Sequence, residues 1–188
     1  MVILIMIMVA VGTFKIYEQT MKHSKETALS KSDKTELETL LEKDLLDKYP
    51  GSAREVVKVY LRILSLFYNA KINDEELEAL AKQARILFDD ELLDHNPQIE
   101  HLRELKSEIA ESRKKELVID KYKVQSTSAI QHYMKDEKEY ASVIVNITMR
   151  DEQKRYKTCE EFILRKDDEG NYKILGWKLT DNVDLDEH

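Results

Sequence analysis

Cysteine is nearly absent from this chain. Cys159 stands alone, so no disulfide can close within the chain and no Cys/His spacing suggests zinc. It is read as a small, half-buried strand residue. With no cysteine near the N-terminus, a lipid-modified start is excluded. Glycine (4) and proline (2) are scarce, which argues against long loops and low-complexity linkers. A concentrated basic stripe is missing too. The net charge is −7, and the longest basic run, Arg113-Lys114-Lys115, ends a predicted helix, where cations suit the dipole. Nucleic acid is therefore not an expected partner. No Gly-rich phosphate loop, Gly-x-Ser-x-Gly elbow or His-Glu-x-x-His pair occurs. No cofactor is expected, and catalysis is not the leading reading.

What the chain does have is a hydrophobic fraction of 42% beside a charged fraction of 36%, the balance of a globular domain with a heavily charged surface. Much of its apolar content opens the sequence. Met1 to Val11 carries no polar side chain, and Gly12-Thr13-Phe14 extends the run to Lys15. An amphipathic helix would show a polar face here. Fourteen helical residues rise only about 21 Å against about 30 Å of hydrocarbon. Taking in Ile16 and Tyr17, with Lys15 snorkelling, brings the length to about 26 Å, tolerable with local thinning. Residues 1–17 are therefore read as a membrane anchor. A cleaved signal peptide and a buried segment are the alternatives, and a start upstream of Met1 would lengthen the run. Lys15, Lys22, Lys25, Lys31 and Lys34 follow it, which by charge alone keeps the domain in the cytoplasm. The plan of a short anchor and polar stalk favours export, and an extracytoplasmic domain is the expectation adopted.

Residues 18–32 are polar and without period, a stalk. The domain proper is expected over 33–180. Asp33 with Glu36 reads as an N-cap pair, followed by Leu37, Leu40, Leu41 and Leu45 on one face. Pro50-Gly51 stops that helix. Ser52-x-x-Glu55 is a capping box opening a helix with Val57, Tyr60, Leu61, Leu64, Phe67 and Tyr68 inward. Asn73-x-x-Glu76 caps a third helix carrying Leu77, Leu80, Ala81, Ala84, Leu87 and Phe88. Asn96-Pro97 starts a fourth as N-cap and first-turn proline, with Ile99, Leu102, Leu105 and Ile109 inward. At Leu117 the period turns to alternation. Val118, Tyr122 and Val124 share a strand face, on a strand running on towards Met134. Val143, Val145, Ile147 and Met149 share another, with Asn146 and Thr148 opposite. Tyr156, Thr158, Phe162 and Leu164 follow, and a turn at 167–171 leads to Leu175, Trp177 and Leu179. Helices first and strands second predict an α+β domain, about four helices packed on a curved antiparallel sheet of about four strands. Residues 181–188 form an acidic tail.

The turn Asp168-Glu169-Gly170 followed by Asn171-Tyr172-Lys173-Ile174-Leu175-Gly176-Trp177 resembles the last hairpin of nuclear transport factor 2-like domains, and the order of helices then sheet resembles that superfamily over about residues 52–180. The resemblance implies a cone, with helices packed into the concave sheet. The whole chain also looks like singly anchored bacterial proteins with such an outer domain, and like the bitopic scaffold subunit of conjugation and type IV secretion machines. Cone enzymes of the superfamily place an acid or base inside the pocket, which makes Asp120, His132 and Tyr133 the catalytic candidates. Phe67, Tyr122, Asn146 and Trp177 are the candidates for lining the cone. Asp89, Asp90, Glu91, Asp94, His95 and His101 are the densest group of oxygen and nitrogen ligands. Within it Asp90, Asp94 and His95 are the metal candidates, but no calcium-loop glycine or alternation of ligands accompanies them, and no metal is expected. The leading expectation is a membrane-anchored interaction or scaffold module that binds a protein partner or a second copy of itself. The alternative is a small-ligand-binding or enzymatic cone domain.

Overall fold

The computed structural model describes residues 31–181 together with Val183 and Leu185. The expected anchor and most of the stalk lie outside the described residues. Among the described residues no helix is long and apolar enough to cross a membrane.

Among the described residues five helices precede five strands: α1 (Lys31–Leu41), α2 (Ala53–Asn69), α3 (Asp74–Ile86), α4 (Asp90–His95), α5 (Gln98–Lys114), β1 (Val118–Val124), β2 (Gln131–Lys135), β3 (Lys138–Arg150), β4 (Arg155–Lys166) and β5 (Tyr172–Leu179). The strands form one open antiparallel sheet in the order β1-β3-β4-β5. β3 is long enough to take two neighbours along one edge, β1 on its C-terminal half and β2 on its N-terminal half. The class is α+β, as the period change at Leu117 requires.

Local chemistry explains the helix limits. The Ser52 side chain accepts a hydrogen bond from the Glu55 N–H at 3.3 Å, while Glu55 itself turns to Lys58 instead of closing the box. Asn73 and Glu76 make both bonds of theirs. Each satisfies donors that a helix start leaves open. α2 then buries Val56, Val57, Tyr60, Leu61, Ile63, Phe67 and Tyr68. It packs on β1, β3 and β5 and is the central helix of the core.

Several expectations need correction. α1 ends at Leu41, well before Pro50, because the Asp44 carboxylate accepts from the N–H groups of Leu46 and Asp47 and turns the chain there. Asp33 lies within the first turn of α1 rather than at a cap. Asn96 closes α4, its side chain donating to the Leu92 carbonyl at 2.8 Å, so Pro97 takes the cap position of α5. Ile99 is 83% exposed rather than inward. The first strand does not continue to Met134. It stops at Val124, and β2 forms separately beyond a single 3-10 turn.

A bulge at Asp120 breaks the register of β1 between Ile119 and Lys121. Alternation shifts phase across such a residue, so Ile119 joins Tyr122 and Val124 on the packed face and Val118 does not. Asn69 fixes the bulge, donating to the Ile119 carbonyl and accepting from the Ile119 N–H, both at 2.8 Å. At the far edge of the sheet the α3–α4 junction lies along β5. The Ile174 N–H donates to Leu87 and the Asp89 N–H to Ile174, which covers an edge otherwise open to pairing.

Candidate functional site

The helix-covered face of the sheet is where the cone resemblance would put a pocket. Four aromatic rings meet there. Tyr60 on α2 lies 5.7 Å from Phe88, 5.9 Å from Phe162 and 5.4 Å from Trp177, and Phe162 stacks on Trp177 at 5.5 Å. Phe162 is wholly buried and Phe67 nearly so, while Trp177 is partly exposed at the rim. Of the expected lining residues, Phe67 belongs to the buried core and Trp177 packs against it. Asn146 does not line this face. Strand alternation puts Val145 and Ile147 in the core and turns Asn146 to the opposite, outer face.

A carboxylate stands among the apolar side chains of the packed face. β4 presents Thr158, Glu160, Phe162 and Leu164 with one parity, opposite Ile147, Val145, Val143 and Ala141 of β3, and Glu160 pairs on its other side with Leu179 of β5. Burial alone pushes its carboxyl from 4.5 up to about 7. Its charge also helps hold the Tyr60 hydroxyl protonated, after burial itself and ahead of Glu108. Glu108 on α5 takes a short hydrogen bond from the Tyr68 hydroxyl, and burial raises its pKa as well. A carboxyl poised near neutrality can exchange protons with a substrate, but only if one can reach it. Glu160 lies half-buried between Val145 of β3 and Leu179 of β5. The alternation of the strand is the available signal. Reading Thr158 and Phe162 as inward obliges Glu160, midway between them, to point the same way.

The catalytic candidates are not brought together. Asp120, on its bulge, pairs with Arg150 at 3.5 Å and Arg155 at 3.4 Å. His132 sits on β2 opposite Ala141, some seven residues along β3 from that bulge, or roughly 23 Å. Its Nδ1 lies 2.9 Å from the Tyr172 hydroxyl, which donates to Glu139, a carboxylate also held by Lys166 at 2.7 Å. This knot ties the β2–β3 hairpin to the β4–β5 end. Tyr133 stacks on Tyr140 at 5.3 Å on the outer face.

The acidic helix residues have other work. Asp89 caps α4 through the Glu91 N–H at 3.0 Å and, almost fully buried, takes two hydrogen bonds from Arg165. Glu91 takes a third at 3.2 Å. The His95 Nδ1 lies 2.7 Å from the Glu91 carbonyl. His101 packs edge-on against Phe88 at 6.1 Å, and burial first, then Arg85, lowers its pKa. Among the described residues no group of three or more His, Cys, Asp and Glu, Asp90 and Asp94 included, is arranged to hold a metal ion.

Tyr122 leads to a different concavity. A cleft of about 690 Å³ opens between α1, α2 and β1, its walls including Asp33, Glu36, Arg62, Ser65, Asn69 and Tyr122. Arg62 spans it with a two-pronged bond to Glu36 at 2.6 and 3.1 Å. The two charges neutralise one another, and Lys31 and Ser32 also line the cleft.

Comparison with curated proteins finds none that matches. A family model described as a domain of unknown function, DUF6715, matches residues 1–177, taking in the N-terminal apolar run, all five helices and the sheet as far as Trp177. The chain belongs to the DUF6715 family.

Proposed function

We propose that this protein is a membrane-tethered interaction module, a cone-like domain of the nuclear transport factor 2 type held by its N-terminus and working through its surfaces. The observation that carries the reading is the packing of the helix-covered face. Tyr60, Phe88, Phe162 and Trp177 pack on one another over that face, where an enzyme of the cone type would need an open pocket. The scattering of Asp120, His132 and Tyr133 supports it too. The tether rests on the unbroken apolar run from Met1, and an extracytoplasmic domain on the anchor-and-stalk plan. Scaffolding requires a fold that holds its shape without a ligand, which a filled core supplies.

Glu160 favours a second reading, acid–base chemistry at the rim of the packed face, since a carboxyl near pH 7 is what such chemistry uses. The two differ in whether water and substrate reach that strand.

The tether has its own test. The full chain should float with phosphatidylcholine vesicles on a sucrose gradient, while residues 31–188 stay at the bottom as a soluble, cooperatively melting domain. That expectation follows because, among the described residues, the buried core begins at Leu37. Flotation of both chains, or aggregation of residues 31–188, would remove the N-terminus as tether.

A further inference from the structure

The outer face of the sheet carries an arrangement that the packing of the domain does not use. Asn146 is only 8% exposed, yet half of its amide is unsatisfied. Its Nδ2 donates to the carbonyl of Val183 at 2.9 Å, while its Oδ1 is buried with no hydrogen-bond partner. A buried acceptor left open is costly. The same molecule shows what a complete arrangement looks like. Asn69 donates to the carbonyl and accepts from the N–H of one residue, Ile119, both at 2.8 Å. An asparagine amide used in this way reads an extended backbone. Asn146 makes the first of those two bonds and leaves the second available.

The surroundings define what kind of backbone would fit. Antiparallel register puts Lys123 and Cys159 on either side of Asn146, and Lys121 and Lys157 on either side of Thr148 in the next row of the same face. The three lysines are exposed. The segment that supplies Val183 is acidic, with Asp181, Asp184, Asp186 and Glu187 within residues 181–188. The Thr180 N–H bonds the Cys159 carbonyl at 2.9 Å. The chain leaves β5 beside Cys159 and reaches the next strand by Val183.

We propose that the rows around Asn146 are a recognition site for an extended acidic peptide, and that the protein's own C-terminal segment is its resident occupant. Asn146 reads the backbone and Lys121, Lys123 and Lys157 supply the charge. Among the described residues the tail meets Asn146 through the Val183 carbonyl, and an acidic segment presenting both a carbonyl and an N–H to Asn146 competes with it. This deepens the interaction-module reading and rests on it, but the tests are separable, since vesicle flotation does not involve the tail.

The test uses the full chain in detergent, the chain ended at Thr180, and a full-length variant with Asp181→Lys, Asp184→Lys, Asp186→Lys and Glu187→Lys. The probe is a fluorescein-labelled synthetic peptide of residues 181–188, followed by anisotropy. Removing a resident occupant that is bound about nine-tenths of the time raises apparent affinity about tenfold. Both altered chains should therefore bind the peptide about tenfold more tightly than the parent. Binding should weaken as salt rises from about 0.05 to 0.5 M, as screening of exposed charges requires. Asn146→Leu in the shortened chain should abolish it. Cys159 is the sole thiol, and its alkylation by iodoacetamide should speed up when the tail is cut and slow again when peptide is added. Equal peptide affinity in the parent and in the charge-reversed variant would overturn the proposal, as would a neutral peptide with Asn and Gln in place of the acids binding equally well. The charge-reversed variant keeps its full length, so it decides the question even if the shortened chain does not fold.

Discussion

Phe162→Ala should cost about 3–5 kcal/mol of unfolding free energy, the range for deleting a large aromatic from a core that cannot collapse around the gap. Phe162 is 0% exposed, opposes Val143 across the β3–β4 ladder and touches two rings, edge-on to Tyr60 and stacked on Trp177. Neither the central strand nor α2 can shift to refill the space without breaking ladder bonds or caps. Phe67 is almost equally buried and belongs to the same class. Trp177 shares the cluster but sits at the rim, so its truncation should cost less. Urea denaturation measures the difference, and an unchanged slope would show that the compact states are comparable. A loss below about 1 kcal/mol for Phe162→Ala would mean the helix-covered face is loosely filled.

Glu160→Gln should act in the opposite direction. In the folded chain this carboxyl titrates at about 7 against an ordinary 4.5, so the folded state holds its proton more tightly than the unfolded state does. The group costs nothing below about pH 4.5, costs progressively more as pH rises, and reaches its full penalty above pH 7. A difference of that size corresponds to at most about 3.4 kcal/mol, and to about 2–3 kcal/mol once solvent at the rim is allowed for. The glutamine variant should thus match the parent at pH 4.5 and exceed its stability at pH 8 by about 2 kcal/mol or more. Thermal or urea midpoints at the two pH values decide it. Equal stability at pH 8 would show that Glu160 is solvated.

Much of this architecture is legible from residue spacing because the determinants are local. Ser52 and Asn73 mark their helices by side-chain oxygens three residues ahead of a glutamate, and both make the expected bond. The apolar stripe of α2 and the inward set Val143, Val145 and Ile147 follow from periods of 3.6 and 2. What escapes such reading depends on partners distant in sequence. The bulge at Asp120 exists because Asn69, 50 residues before Ile119, clamps that residue, and alternation read from one strand cannot anticipate a phase shift made by another element. α1 stops ahead of Asp44 through a side-chain turn that the stronger Pro50-Gly51 signal conceals. Ile99 fits an inward helical spacing, yet lies in the first turn of α5, beyond the reach of the core. Of the functional candidates, His132 and Asp120 stand out for their chemistry, and the fold turns both into surface ties. Glu160 does not stand out, because a charge between apolar positions reads as outward, although strand parity admits no such exception.

The proposed surface-working module requires that the helix-covered face of the sheet be filled, with no open pocket at its centre. Glu160 is the built-in probe of that face, and the most direct measurement is the pH titration of its side-chain carboxyl carbon by nuclear magnetic resonance, assigned through the Glu160→Gln spectrum. A filled face predicts a midpoint near 7, because only exclusion of water shifts this group. A midpoint near the ordinary 4.5 would mean that water reaches the strand between Val145 and Leu179, that this face is open, and that the interaction-module reading fails in its main premise.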